Sequence, residues 1–168
     1  MTVTVPSRSL APGISPELFR NAFRRYPAGV VVITADAGRG PAGFTATSLT
    51  SLSLSPPLVS FGISVTGSSW PTVERASSAV VNFVAAEQEP LARTFATSGV
   101  DRFAAPTPWH RLPGGEPVLD GVAGWLRLSI QQIVPAGDHR IVVGRVEEAE
   151  YHVTRRPLLF HDGRYLPL

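Results

Sequence analysis

What most limits the folds open to this chain is how often its apolar runs are cut short. From residue 29 onward, brief β-branched or alternating stretches recur, each closed by glycine or proline, and helical periodicity appears only in short pieces. Residues 29–35 (GVVVITA) form a nearly continuous β-branched run, and residues 36–41, with two glycines, read as a hairpin turn into the next strand. Further strands are expected at residues 57–64, 79–85, 125–134 and 140–150, with a closing pair around residues 158–160 and 164–166. Many short strands with few helices define a mainly β chain, a barrel or a sandwich.

Three helical pieces accompany the strands. One starts at Ser15, with Pro16 in its first turn and Glu17 behind it, and ends at Pro27. Leu18, Phe19, Ala22 and Phe23 give it an apolar face, and Arg20, Arg24 and Arg25 a wet one. Residues 69–76 suit about two turns. Residues 88–97 suit a helix that packs Leu91 and Phe95 inward. Residues 101–124, rich in proline, glycine and aromatic side chains, read as an ordered loop of a length more often functional than idle. Residues 1–13 read as a flexible leader, and residues 14–168 as one domain, which suits a chain of 168 residues with 43% hydrophobic and 17% charged side chains.

Composition removes several chemistries. Without cysteine there is no disulfide framework, thiol nucleophile or thiolate metal site. All 15 basic residues are arginine, so Schiff-base chemistry and a P-loop lysine are excluded, and guanidinium forks are the only permanent cations. With a net charge of +2 and no run of arginines longer than a pair, the chain gives little sign of the basic patch that nucleic acid requires. The absence of a signal-like start and of a membrane-length apolar run suggests a soluble, cytoplasmic protein, with no membrane partner. His110, His139, His152 and His161 have no ligand spacing among them, so no metal site is expected.

Three groups of residues carry candidate chemistry. The segment 43–58, GFTATSLTSLSLSPPL, is uncharged and rich in hydroxyls. It reads as a strand offering Thr45, Thr47, Ser48 and Ser51 to a polar, uncharged, flat ligand, although a solvated Thr/Ser face would look the same. Gly67-Ser68-Ser69-Trp70-Pro71-Thr72 is a small polar turn suited to an anion such as a phosphate monoester, or simply to a helix cap by Ser69. Gly137-Asp138-His139 is a turn that delivers one histidine to a strand edge, where it can hydrogen-bond a carboxamide or pyrophosphate, relay a proton, or serve structure alone. No GxSxG elbow, HExxH or carboxylate pair in an obviously apolar setting is present, and a chain without nucleophile, metal or acid-base pair can still catalyse if a cofactor carries the chemistry.

In this order the pieces resemble the flavin reductase family, the short NAD(P)H-dependent reductases that serve two-component monooxygenases. The resemblance runs through FRNAFRRYPAGVVVIT, GFTATSLTSLSLSPPLVSF, SSWPTV, VVNFVAAEQEPLARTFA, DRF, AGDHRIVVGRVEEAE and the closing PLLFHDGRYLPL. It implies an FMN-binding split β-barrel, antiparallel with a few short flanking helices, that forms a homodimer with flavin near the interface. By position, Thr45, Ala46, Thr47, Ser48 and Ser51 match the strand along the flavin ring and ribityl chain. Ser68, Ser69 and Trp70 match the phosphate-side turn, Arg102 a phosphate-binding cation, and His139 the histidine where the nicotinamide cofactor docks. Ser55 and Ala28 depart from the Asp and Thr of many relatives. The implied activity is hydride transfer from NADH or NADPH to FMN or FAD, with reduced flavin passed to a flavin-dependent monooxygenase. The alternatives are a flavoprotein that keeps its flavin as an electron carrier, and a non-catalytic flavin or haem binder.

Overall fold

The computed structural model describes residues 13–168. The expected leader therefore lies outside the described residues, except for Gly13. Twelve strands form three antiparallel sheets, accompanied by three short α-helices. The main sheet has seven strands in the order β3 (Pro41–Ala46), β2 (Val31–Asp36), β6 (Ser78–Phe83), β9 (Gly124–Ala136), β10 (His139–Tyr151), β5 (Pro57–Ser64) and β4 (Thr50–Leu54). Its edge strands, β3 and β4, follow each other in sequence but do not pair, so the sheet curls without closing, as a split barrel does.

Burial on both faces explains the β-branched run first noticed in the sequence. Val31, Ile33 and Ala35 of β2 point into the core inside the curl, with Phe61, Leu128 and Val142. Val30 and Val32 point outward into a second core with Leu91, Phe95, Leu119 and Leu158. A strand covered on both sides has no polar face to alternate with.

The outer core is roofed by helix α3 (Glu89–Ala96), by β11 (Leu158–His161), and by a hairpin of β7 (Trp109–Arg111) and β8 (Pro117–Leu119). That hairpin lies within residues 101–124, expected to be one long loop. Its three-residue strands among prolines carry no legible alternation. Buried polar groups hold it instead: Asn82 Nδ2 donates to Thr34 Oγ1 (3.1 Å), Asn82 Oδ1 accepts from Leu119 N (2.9 Å), and Thr34 Oγ1 donates to the Pro117 carbonyl (2.5 Å).

Helix α1 (Pro16–Arg24) begins as expected, with Ser15 Oγ accepting from Leu18 N at 3.2 Å. None of its residues is buried. Leu18, Phe19 and Phe23, together with Tyr26 beyond its end, are each more than half exposed, so its apolar face is uncovered in the single chain. A third sheet, β1 (Ala28–Gly29), β11 and β12 (Arg164–Pro167), lies beside it, and Asp162 N in the β11–β12 turn donates to the Arg24 carbonyl (2.9 Å).

Candidate functional site

The hydroxyl-rich segment 43–58 is not one strand. It runs as β3, leaves the sheet over residues 47–49, returns as β4, and turns at Ser55-Pro56 into β5. The break has a local cause. Thr50 lies opposite Ser60 in the β4–β5 ladder, so two positions earlier Ser48 falls opposite Gly62. There the Ser48 side chain takes the place of its backbone, with Oγ accepting from Gly62 N at 2.9 Å. The backbone of Thr47, Ser48 and Leu49 makes no turn or loop hydrogen bond, which leaves exposed amides and carbonyls.

These open groups border a cavity of about 820 Å³ between α1, β1 and the β11–β12 turn, lined by Thr47, Ser48, Leu49, Gly29, Phe160 and His161 among others. Thr47 and Ser48 line this cavity, and the other hydroxyl-strand candidates do not. Thr45 faces α3 and donates its hydroxyl to the Ala92 carbonyl (2.6 Å). Ala46 is buried in the inner core, and Ser51 is exposed on β4 opposite Val59. Thr45 and Thr47 share a strand parity, so the departure of the chain from the sheet over residues 47–49, not alternation, separates them.

A second hollow, of about 170 Å³, lies at the other end of β3 and is lined by Gly43, Ser68, Ser69, Asp101 and Arg102. Arg102 organises it, donating through Nη1 to the Gly43 carbonyl (2.7 Å) and to Ser68 Oγ and Ser69 Oγ (3.2 Å each), and through Nε and Nη2 to the Thr97 carbonyl. Burial lowers its pKa from the ordinary guanidinium value. Ser69 is buried and donates its only hydroxyl proton to the Gly43 carbonyl at 2.8 Å, so it neither caps the following helix nor offers that proton to a ligand. Ser68 is exposed, and the N–H groups of Ser68 and Ser69 make no turn bond. Helix α2 (Trp70–Val73) is shorter than expected, although turn bonds continue to Ala76.

The structure brings the serine turn and the histidine turn together. Gly137, at φ +62°, opens the tight β9–β10 turn, and His139 falls opposite Ser64 at the end of β5. Val65 N donates to the Asp138 carbonyl at 3.1 Å, tying the two loops together. His139 is exposed, its Nδ1 2.8 Å from Asp138 Oδ1. The hydrogen bond from the His139 ring holds the Asp138 carboxyl below its ordinary range. The next residue, Arg140, lays its guanidinium 5.9 Å from the centre of the half-buried Trp70 ring.

The curled antiparallel sheet carries a cavity bordered by open backbone at residues 47–49 and, at the other end of β3, an arginine-serine corner, groups that bind a ligand rather than react with it. The chain belongs to the flavin reductase like family, whose domain model matches residues 23–168. It is 46% identical over 160 residues to an NADH:FMN oxidoreductase of Rhodococcus qingshengii, covering 93% of this chain and 83% of that one. It is 35% identical to the reductase subunit HsaB of a flavin-dependent monooxygenase of Rhodococcus jostii, covering 97% and 83%. Among solved structures, a Streptomyces globisporus NADH:FAD oxidoreductase in complex with NAD and FAD fragments superposes with a TM-score of 0.86 at 33% identity, covering 94% of this chain and 97% of that one.

Proposed function

We propose that this chain is the reductase component of a two-component system, oxidising NADH, reducing FMN or FAD, and releasing the reduced flavin to a partner monooxygenase. The observation that carries this reading is the placement of unlike groups at the two ends of β3. Open backbone amides and carbonyls stand at Thr47–Leu49 beside the cavity, and an arginine-serine corner stands at Gly43. The two lie four residues apart along an extended strand, about 13 Å, which a flat ring joined to a phosphate by a short polyol can span.

The residues present fit such a ligand. Backbone groups at 47–49 suit the donor and acceptor edge of a heteroaromatic ring. Ser68 Oγ, the Ser68 and Ser69 amides and the Arg102 guanidinium suit a phosphate. Bound flavin would supply the hydride acceptor, so the chain itself needs no nucleophile and no acid-base pair. Its own residues bind and orient. His139, steadied by Asp138 and set beside the serine turn, positions the nicotinamide donor.

The same reading includes a homodimer. Phe19, Phe23 and Tyr26 stand exposed along the cavity, with Leu18 exposed on the same helix, and a second copy that covered them would bury them and wall the cavity; a stable interface of this kind buries more than ~2,000 Å². Light scattering should give twice the 18.0 kDa of one chain, and a single-chain mass with flavin bound would contradict it.

The activity is tested by following NADH oxidation with and without added FMN. Turnover that needs free FMN, from protein that loses flavin on gel filtration, is the expected result. Protein that retains its flavin through gel filtration and does not respond to added FMN would make it an electron carrier instead.

A further inference from the structure

Arg140, next to the histidine turn, is a cation that hydrogen-bonds only carbonyls among the described residues. Its Nη1 donates to the carbonyls of His139 (2.9 Å) and Gly137 (3.5 Å), which fixes the guanidinium, and the Trp70 ring covers one face at 5.9 Å. Nε and Nη2 make no hydrogen bond among the described residues. The nearest acid in sequence, Asp138, is held by His139, and Arg140, like Arg102, forms no ion pair among the described residues. A half-buried fork with unused N–H groups, immobilised on an aromatic ring, is pre-organised to take two oxygens of a phosphate group.

The surroundings narrow the ligand. Trp70 follows Ser68 and Ser69 directly, so the two arginines meet one short segment, Arg102 through Ser68 and Ser69 and Arg140 through Trp70, with His139 next to Arg140. Two guanidinia about one turn suit a ligand with more than one phosphate, and the Trp70 indole beside Arg140 suits a base.

We infer that Arg140 and Trp70 form a subsite for an adenosine 5′-diphosphate moiety. This inference rests on the reductase reading. That moiety occurs in the nicotinamide dinucleotide and in FAD alike, but not in FMN. Arg140 is accordingly a specificity-determining residue, gripping the end of the ligand remote from the reacting ring.

The probe is ADP-ribose, titrated calorimetrically into the wild-type chain and into Arg140→Gln, Arg140→Lys and Trp70→Leu, with FMN titrated in parallel and thermal unfolding checking each variant. Arg140→Gln should weaken ADP-ribose about tenfold, the loss expected for hydrogen bonds to a charged group at a partly exposed site. Arg140→Lys, which keeps the charge but loses the fork, should fall between, Trp70→Leu should also weaken ADP-ribose, and FMN affinity in the Arg140 variants should stay within about twofold of wild type. A rise in the NADH KM of Arg140→Gln at unchanged kcat assigns the moiety to the nicotinamide dinucleotide. A loss of FAD affinity relative to FMN, with the NADH KM unchanged, assigns it to the flavin. ADP-ribose affinity that is absent in wild type, or unaltered in folded Arg140→Gln, overturns the subsite while FMN binding leaves the reductase reading standing. Failure of the wild-type chain to bind FMN takes down both.

Discussion

The two ends of β3 are equipped for a ligand in opposite ways. At Thr47–Leu49 the side chains are largely engaged or turned away, and the backbone is open, because Ser48 uses its hydroxyl to replace a rung of the β4–β5 ladder. At the Gly43 corner the side chains carry the chemistry, and the backbone is their support: the Gly43 carbonyl accepts from both Ser69 and Arg102. A polar face made of backbone tolerates changes in its side chains, whereas one made of side chains does not. The contrast predicts where substitutions will hurt binding and where they will hurt folding.

The largest effect is expected at Arg102. Arg102→Ala removes the proposed phosphate cation together with the donor for the Gly43 and Thr97 carbonyls. FMN affinity should fall by about 100-fold, riboflavin affinity by much less, and stability by about 1–3 kcal/mol. Fluorescence titration of both ligands beside thermal unfolding checks this, and equal losses for FMN and riboflavin would remove the corner's phosphate role.

His139 lies beside this corner and, in the proposed reading, outside the flavin site. His139→Ala should raise the NADH KM about tenfold and leave FMN affinity near wild type, as expected when a positioning contact is lost. Steady-state kinetics at saturating FMN reads the split, and an unchanged KM with lost folding would make His139 structural.

Neighbouring serines sharpen the comparison further. Ser69→Ala should lower thermal stability by about 1–2 kcal/mol, because its buried hydroxyl bonds the Gly43 carbonyl. Ser68→Ala should leave stability unchanged and weaken FMN relative to riboflavin. Identical behaviour of the two variants would mean that the buried and exposed hydroxyls are not the distinct groups they look to be.

The smallest effect tests the scaffold away from the site. Burial works to raise the pKa of Asp36, but hydrogen bonds from Arg111 and from the Gly38 and Gly40 amides outweigh it and hold the carboxyl below its ordinary value. A lowered folded-state pKa stabilises the fold above the unfolded-state value, and that contribution is lost as pH falls through the folded-state value. Asp36→Asn should therefore cost about 1 kcal/mol at neutral pH, and its difference from wild type should shrink in acid. Urea unfolding at several pH values measures it, with FMN binding unaltered.

Much of this was legible in the sequence because the relevant signals are local. The doubly buried β2 announced itself by its β-branched run, α1 by Ser15 and Pro16, and the β9–β10 turn by Gly137. The hairpin of β7 and β8 was not legible, since distant partners such as Asn82 and Thr34 hold its short strands. Ser68, Ser69 and Arg102 are brought together across more than thirty positions, with the Ser69 hydroxyl turned inward to the Gly43 carbonyl. That the Thr45 hydroxyl turns to the Ala92 carbonyl was not legible, because residue type does not report which face of a strand is occupied. Arg140 was passed over because nothing in its own segment signals that Trp70, seventy positions earlier, lies beneath it.

The most direct test of the two-ended cradle is an amide NMR titration of the chain with riboflavin and, separately, with FMN. Riboflavin should shift the amides of Thr47, Ser48 and Leu49 and leave Ser68 and Ser69 in place, whereas FMN should shift both sets. Shifts confined to the same residues with both ligands, or absent from residues 47–49, would contradict the account.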